Sequence, residues 1–158
     1  MCHNGEINTY RGNLSRMEAR EEMLESDLFG PDIKKILPII LPGKSDSSSM
    51  DMVVEILLAT GRSLPEVMMM LVPEAWEKHA SMDQDKKAFY QYNSCIMEPW
   101  DGPASITFTD GKFVGDNVPQ LIHGFIDDGN TNSHYYYFFK SSSCFSKLNV
   151  ERVDKFKV

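Results

Sequence analysis

The sequence predicts an α+β fold in which several helices precede a β-hairpin, and three patterns carry this prediction. Apolar residues recur at i, i+3, i+4, i+7 and i+8 from Met50 to Leu58, the spacing of the buried face of an amphipathic helix. A capping box formed by Ser63 and Glu66 opens another helix. Residues 104–108 alternate between polar and apolar and include β-branched side chains, and the turn residues at 109–112 predict that this strand returns as a hairpin.

The first helix is expected near the N-terminus. Asn13 or Ser15 is placed to cap it, and the helical pattern runs to about Glu25. The Gly-Pro pair at residues 30–31 then stops the helix and restarts the chain. This order places one short helix ahead of the amphipathic one.

Three further helices are expected in the middle of the chain. The serines at 47–49 supply the N-cap of the amphipathic helix, and Gly61 ends it. The capping-box helix runs to about Val72 and is largely apolar, so it must be buried on most of its faces. Residues 83–97 predict one more helix before the hairpin.

Length and composition restrict the classes of function. The chain has 158 residues, of which 42% are hydrophobic, as in a single globular domain. Its net charge of −7 disfavours both nucleic acid and anionic membrane as partners, and no apolar run approaches the roughly 20 residues of a membrane span. Because the first residues resemble no secretory signal, a cytoplasmic or organelle-matrix location is expected. Three widely spaced cysteines predict free thiols and no metal site.

The composition changes near Gly115. All ten methionines lie in residues 1–97, whereas residues 116–158 contain 8 of the 17 aromatic side chains, five of them consecutive. Turn-type sequences flank that aromatic run. We therefore predict one domain over residues 1–115 and a separate segment of doubtful fold over residues 116–158.

The first candidate site is the Asn4-Gly5 pair. It lies in a polar stretch punctuated by glycine, and such a pair can form a tight turn that presents the Asn side-chain amide and the Gly backbone N–H to one point. Two such donors are what the oxyanion of an acyl-transfer reaction needs. On these two residues alone, however, an ordinary Asn-Gly turn is the simpler interpretation.

The second candidate is Asp46, at the point where a polar loop enters the amphipathic helix. A carboxylate there can cap the helix or interact with its dipole, which is worth about 0.5 to 1 kcal/mol. It can also bind the ammonium group of a ligand. This stretch by itself does not require the second role.

Six stretches taken together resemble the glutamine amidotransferase domain of glutamate synthase. The resemblance covers roughly residues 1–115. Its motifs are His3–Thr9, Arg11–Asn13, Ser45–Ser47, Gly61–Pro65, Met69–Glu77 and Met97–Ala104. An Asn-Gly turn is common to class II amidotransferases, whereas the Ile-Asn-Thr-x-Arg-Gly-Asn extension and the Glu-Pro-Trp-Asp-Gly-Pro segment resemble glutamate synthase in particular.

The resemblance implies part of an N-terminal-nucleophile (Ntn) hydrolase domain with four αββα layers. In that family an N-terminal cysteine attacks the amide of glutamine and releases ammonia, with its own α-amine as the base. The resemblance assigns Asn4 and Gly5 to the oxyanion hole and Asp46 to the α-amino group of glutamine. The implied partners are glutamine and the remaining domains or the small subunit of glutamate synthase. There FMN and an iron–sulfur cluster, both expected outside this chain, serve the conversion of 2-oxoglutarate to glutamate.

Two departures from the family pattern lead to further expectations. The family's nucleophilic cysteine lies well upstream of the His-Asn-Gly segment, and Cys2 occupies an ordinary position on the oxyanion strand, so the isolated chain is expected to be inactive. Beyond Gly115 the resemblance stops. Two alternatives remain open. One is a non-catalytic module that binds glutamine for regulation, and the other is a subunit whose nucleophile arrives on another chain.

Overall fold

A computed structural model of the chain describes residues 1–27, 29–111, 113–118 and 135–140. One strand precedes the helices and three strands follow them. In chain order they are β1 (Cys2–Gly5), α1 (Tyr10–Glu21), a 3₁₀ helix (Gly30–Ile36), α2 (Asp46–Ala59), α3 (Leu64–Leu71), α4 (Gln84–Ser94), β2 (Ala104–Thr109), β3 (Phe113–Val118) and β4 (Tyr135–Lys140). The mixed helix and strand content predicted from the sequence is confirmed.

The four strands form one antiparallel sheet in the order β1-β2-β3-β4. β1 pairs with β2, although about a hundred residues separate them, and Asn4 lies opposite Ser105. Directly opposed residues share a face of an antiparallel sheet. Ala104, Ile106 and Phe108 are buried on one face, while the positions between them are at least partly exposed on the other. The helices therefore cover one face of the sheet.

The core lies between that face and helices α2 and α3. The members at most 1% exposed are Met50, Val53, Val67, Met68, Leu71, Trp100 and Ile106. The apolar stripe of α2 supplies Met50 and Val53, as its period requires. The helix α3 was expected to be buried on most of its faces. Its leucines, its valine and its three consecutive methionines are each at most 8% exposed.

Two helix starts differ from the sequence prediction. α1 begins at Tyr10 after Thr9, because Asn13 is buried and its Nδ2 donates to the Pro99 carbonyl oxygen at 3.0 Å instead of capping the helix. α2 is capped by Ser45, whose hydroxyl accepts the Ser48 N–H at 3.2 Å, so the expected cap at residues 47–49 was wrong by at least two residues. α1 also ends at Glu21, four residues earlier than predicted.

The other predicted helix starts are confirmed, while α4 ends at Ser94, three residues before the predicted end at Met97. At the start of α3 the Ser63 N–H donates to Glu66 Oε2 at 2.8 Å, completing the capping box. α4 begins after Asp83, whose carboxylate accepts backbone N–H groups of the first turn. The hairpin turn contains Gly111 with φ of 82°.

The composition break predicted at residue 115 falls inside β3, which spans Phe113–Val118 and pairs with β4. The turn-type sequences at 127–133 and 141–143 lie outside the described residues. The division into two segments stays a prediction. Within the described ranges, no helix is both long and apolar enough to cross a bilayer.

Candidate functional site

Strand β1 carries the Asn4-Gly5 pair to the edge of the sheet. Gly5 has φ of 116°, in the left-handed region that favours glycine, and it lies opposite Ala104. A Cβ on Gly5 would overlap the Pro103 carbonyl oxygen and would lie 2.9 Å from Ala104 Cα. Only glycine fits here, for two independent reasons. The structure places Asn4 and Gly5 at the end of strand β1 and not in the tight turn that the dipeptide predicted, because both residues pair with β2.

Residues 99–103 hold the chain that follows β1. The Thr9 N–H donates to the Asp101 carbonyl oxygen at 3.2 Å, and the Asp101 N–H donates to Thr9 Oγ1 at 2.9 Å. The approach is so close that a Cβ on Gly102 would overlap the Glu6 carbonyl oxygen and lie 2.8 Å from Asn8 N. Backbone contacts thus fix the path of the chain between Gly5 and Thr9.

Asp46 is the first residue of α2, and its two carboxylate oxygens have different environments. Oδ1 accepts the Ser47 N–H at 2.8 Å, a bond that stabilises the first helical turn together with the dipole. Oδ2 faces β1 and lies 3.4 Å from His3 Nε2. The side chain is 28% exposed, so a ligand can reach it. The structure thus places Asp46 in the first turn of α2, after the Ser45 cap, and leaves Oδ2 directed toward β1.

His3 connects the two candidate sites. Its Nε2 lies 3.0 Å from the Gly5 carbonyl oxygen, and its Nδ1 lies 2.7 Å from Ser47 Oγ. The side chain is only 8% exposed. Sequence reasoning gave His3 no role, because nothing local indicates that residues 43 or 44 positions away surround its ring. His3 thus contacts both Gly5 and Asp46, whereas the side chain of the exposed Asn4 lies on the opposite face of β1.

Cys2 lies on the same strand, opposite Thr107, and is exposed. Side chains two residues apart on a strand share a face, so Cys2 and Asn4 lie on one face and His3 on the other. The strand rise of about 3.3 Å per residue separates the Cα atoms of Cys2 and Asn4 by about 6.6 Å. The other described cysteine, Cys95, lies at the C-terminal end of α4.

Other charged groups lie away from this site and serve the fold. Glu74 is 5% exposed and is paired with Lys86, and it also accepts a hydrogen bond from the Tyr90 hydroxyl at 3.0 Å. Burial is the largest single effect and raises the pKa of Glu98, but the hydrogen bond from Arg20, a backbone hydrogen bond and the charges of Arg20 and Arg16 together lower the pKa by more, so the net shift is downward.

A concave surface lies away from Asn4, Gly5 and Asp46. A cavity of about 420 Å³ lies between residues 72–78 and 99–102, and neither Asn4, Gly5 nor Asp46 lines it. In the part of the chain that the structure describes, no three His, Cys, Asp or Glu side chains group as a metal site requires. The candidate site is therefore an open surface formed by β1 and the start of α2.

Comparison with known proteins identifies what this arrangement is similar to. The family described as class II glutamine amidotransferases matches residues 1–119. Glutamate synthase [NADH] of Schizosaccharomyces pombe is 51% identical over 118 residues, 74% of this chain and 6% of the relative. The glutamate synthase [NADPH] large chain of Bacillus subtilis is 50% identical over 115 residues, 73% of this chain and 8% of the relative. Ferredoxin-dependent glutamate synthase of Pyropia yezoensis is 45% identical over 117 residues, again 73% and 8%. This chain therefore spans less than a tenth of the length of these relatives.

Proposed function

The chain belongs to the class II glutamine amidotransferases, and on that premise we propose that it forms part of the glutamine-hydrolysing domain of a glutamate synthase. The proposed role is to bind glutamine and to stabilise the oxyanion formed at its amide. The observation that carries this proposal is that His3 contacts both Gly5 and Asp46, with Asn4 next to Gly5 in β1. The ammonia released would serve the formation of glutamate from 2-oxoglutarate elsewhere in the enzyme.

The proposed chemistry uses three groups of this chain. The Asp46 carboxylate attracts the α-ammonium group of glutamine through Oδ2, the oxygen that faces β1. Asn4 Nδ2 and the Gly5 N–H donate to the side-chain amide oxygen as it gains negative charge. Donors that are already oriented stabilise such an oxyanion without reorganising during the reaction. The rigid Gly5 backbone is therefore part of the proposed mechanism.

The attacking thiolate is proposed to come from outside the described residues. An attack requires the sulfur to lie about 3 to 3.5 Å from the carbonyl carbon that the oxyanion donors hold. Cys2 lies on the same strand as those donors, and Cys95 is at the end of α4. We therefore propose that this 158-residue chain does not hydrolyse glutamine by itself. We further propose that its sheet is one layer of a four-layer αββα Ntn domain.

The cofactors of glutamate synthase do not fit the residues described here. An iron–sulfur cluster needs several cysteine thiolates around it. Cys2 and Cys95 lie on different elements, and no group of three metal-ligating side chains occurs in the described ranges. FMN and the cluster are accordingly proposed to reside in other domains, and no step is assigned to them here.

Calorimetric titration with L-glutamine tests the proposed site. The wild-type chain is expected to bind saturably, and Asp46→Asn is expected to weaken binding by removing the charge that the ammonium group requires. L-Norvaline, which keeps the α-ammonium group and lacks the side-chain amide, and glutaramate, which keeps the amide and lacks the α-ammonium group, serve as controls for the two ends of the ligand. Absence of wild-type binding would contradict the proposal.

An ammonia-release assay tests the proposed absence of hydrolysis. No glutamine-dependent ammonia is expected from the chain alone. Release that disappears in Cys2→Ser would show that Cys2 is a nucleophile and would overturn this part of the proposal. Saturable binding without hydrolysis also fits the alternative of a regulatory glutamine-binding module. Ammonia release that appears only when a chain with an N-terminal cysteine is added favours part of an enzyme over that module.

A further inference from the structure

We propose that His3 is a positioning residue that holds Gly5, at the end of β1, and Asp46, at the start of α2, at a fixed separation before glutamine binds. This inference rests on the proposed function. It concerns a side chain that touches neither the amide nor the ammonium group in the proposed mechanism and acts through the residues that do.

The ring of His3 contacts both halves of the site. On the β1 side, Nε2 lies 3.0 Å from the Gly5 carbonyl oxygen. On the α2 side, Nδ1 lies 2.7 Å from Ser47 Oγ and Nε2 lies 3.4 Å from Asp46 Oδ2. His3 is opposite Ile106 in the sheet, which is 1% exposed, so the ring points toward the covered face. Its 8% exposure leaves little freedom for a second rotamer.

The partners determine which nitrogen carries the proton on a neutral ring. A carbonyl oxygen can only accept a hydrogen bond, so Nε2 must be the N–H that donates to Gly5. Nδ1 is then an acceptor, and the Ser47 hydroxyl donates to it. The carboxylate oxygen of Asp46 is also an acceptor and therefore favours the proton on Nε2. All three contacts agree on one tautomer.

The hydrogen bond from His3 acts at Gly5, the residue of β1 that has the widest backbone freedom. Glycine has wide backbone freedom, and Gly5 adopts φ of 116°. Strand pairing with Ala104 holds the chain on one side, and the His3 bond to the carbonyl holds the peptide plane on the other. With both planes fixed, the Gly5 N–H is oriented before the substrate arrives, which reduces the entropy lost on binding.

A purely structural histidine would fill space between β1 and α2 without coupling them. The substitution Ser47→Ala distinguishes the positioning role of His3 from a role in packing alone. This substitution removes the hydroxyl that orients the ring and a long contact of that hydroxyl with Asp46 Oδ1 at 3.5 Å, but it keeps the Ser47 N–H bond to the same oxygen at 2.8 Å and leaves Gly5 and the imidazole in place. Ser48→Ala is the matched control, because Ser48 serves the helix cap through its backbone N–H and not through its hydroxyl.

The first measurement is the long-range ¹H–¹⁵N spectrum of the imidazoles in the full chain at pH 8.5, with His3→Gln used for assignment. We expect the Nε2–H tautomer for His3. We also expect Ser47→Ala to shift the backbone amide signal of Gly5, and Ser48→Ala to leave it within the experimental error. A signal from the Nδ1–H tautomer would refute the proposal that His3 couples α2 to Gly5. Equal effects of the two serine variants on the Gly5 signal would refute it as well.

The second measurement is the Kd for L-glutamine by calorimetry. Loss of one orienting hydrogen bond is expected to weaken binding about 5- to 10-fold in Ser47→Ala, against less than about 2-fold in Ser48→Ala. If the wild type binds and Asp46→Asn loses binding while Ser47→Ala equals the wild type, the proposed function stands and the role of His3 is refuted. If the wild type does not bind glutamine, the proposed function fails and the positioning role fails with it.

Discussion

Gly102→Ala tests whether backbone contact holds the chain between Gly5 and Thr9 in place. The new Cβ would overlap the Glu6 carbonyl oxygen and lie 2.8 Å from Asn8 N, and neither atom can rotate away as a side chain would. Forcing extra atoms into a packed site costs about 1 to 3 kcal/mol. Separating the segments also weakens the two Thr9–Asp101 hydrogen bonds, at about 1 kcal/mol each. We expect the free energy of unfolding to fall by about 3 kcal/mol.

Gly12→Ala is the matched control for this substitution. Gly12 lies within α1, and a Cβ there meets nothing within 4 Å. Alanine is favoured over glycine inside a helix, so this variant is expected to gain about 0.5 kcal/mol.

Urea unfolding followed by tryptophan fluorescence measures both variants, because Trp100 lies two residues from Gly102 and is 1% exposed. The two free energies should differ by about 3.5 kcal/mol, the sum of the expected loss and the expected gain. Equal stabilities for the Gly102→Ala variant and the wild type would refute the argument that this close approach is rigid. So would a Gly12→Ala variant that is destabilised as much as Gly102→Ala.

Three further predictions concern stability. Lys86→Met leaves the buried Glu74 without its cation and should lower the free energy of unfolding in urea by about 3 to 5 kcal/mol. Ser45→Ala removes the N-cap of α2 and should cost about 1 kcal/mol, measured by the shift of the urea midpoint. The backbone and side-chain hydrogen bonds from Ser63 lower the pKa of Glu66 in the folded state. The stabilisation it contributes is therefore present above its ordinary pKa of 4.5 and is lost as the pH falls through the folded value, so Glu66→Gln should flatten the decline of the urea midpoint between pH 5 and pH 3.

Local patterns were sufficient to predict the elements whose signals are local. The stripe from Met50 to Leu58 and the Ser63–Glu66 box correctly identified α2 and α3, because periodicity and capping act within one or two turns. The cap of α1 was mispredicted because Thr9 and Asn13 bond to residues 99–101, about 90 positions away. A polar side chain near a helix start carries no sign of such a distant partner.

The candidate site divides in the same way. Asn4 and Gly5 were singled out from their dipeptide and from the family motif, but the dipeptide predicted a tight turn and the structure places both residues in β1, where Gly5 has a positive φ. Asp46 had two interpretations in the sequence, and the structure shows Oδ1 used within the helix while Oδ2 faces His3. The contacts of His3 join elements separated by about 40 residues, and they emerge only from the packing of β1 against α2.

Two glycines also affect how this region tolerates sequence change. Gly5 and Gly102 each approach the backbone of the opposite segment, and the bonds between Thr9 and Asp101 use the main chain of Asp101. Backbone contacts therefore set the path of the main chain from Gly5 to Thr9. Positions 5 and 102 admit one residue type, so a mutation that replaces either glycine would displace the main chain of both segments at once.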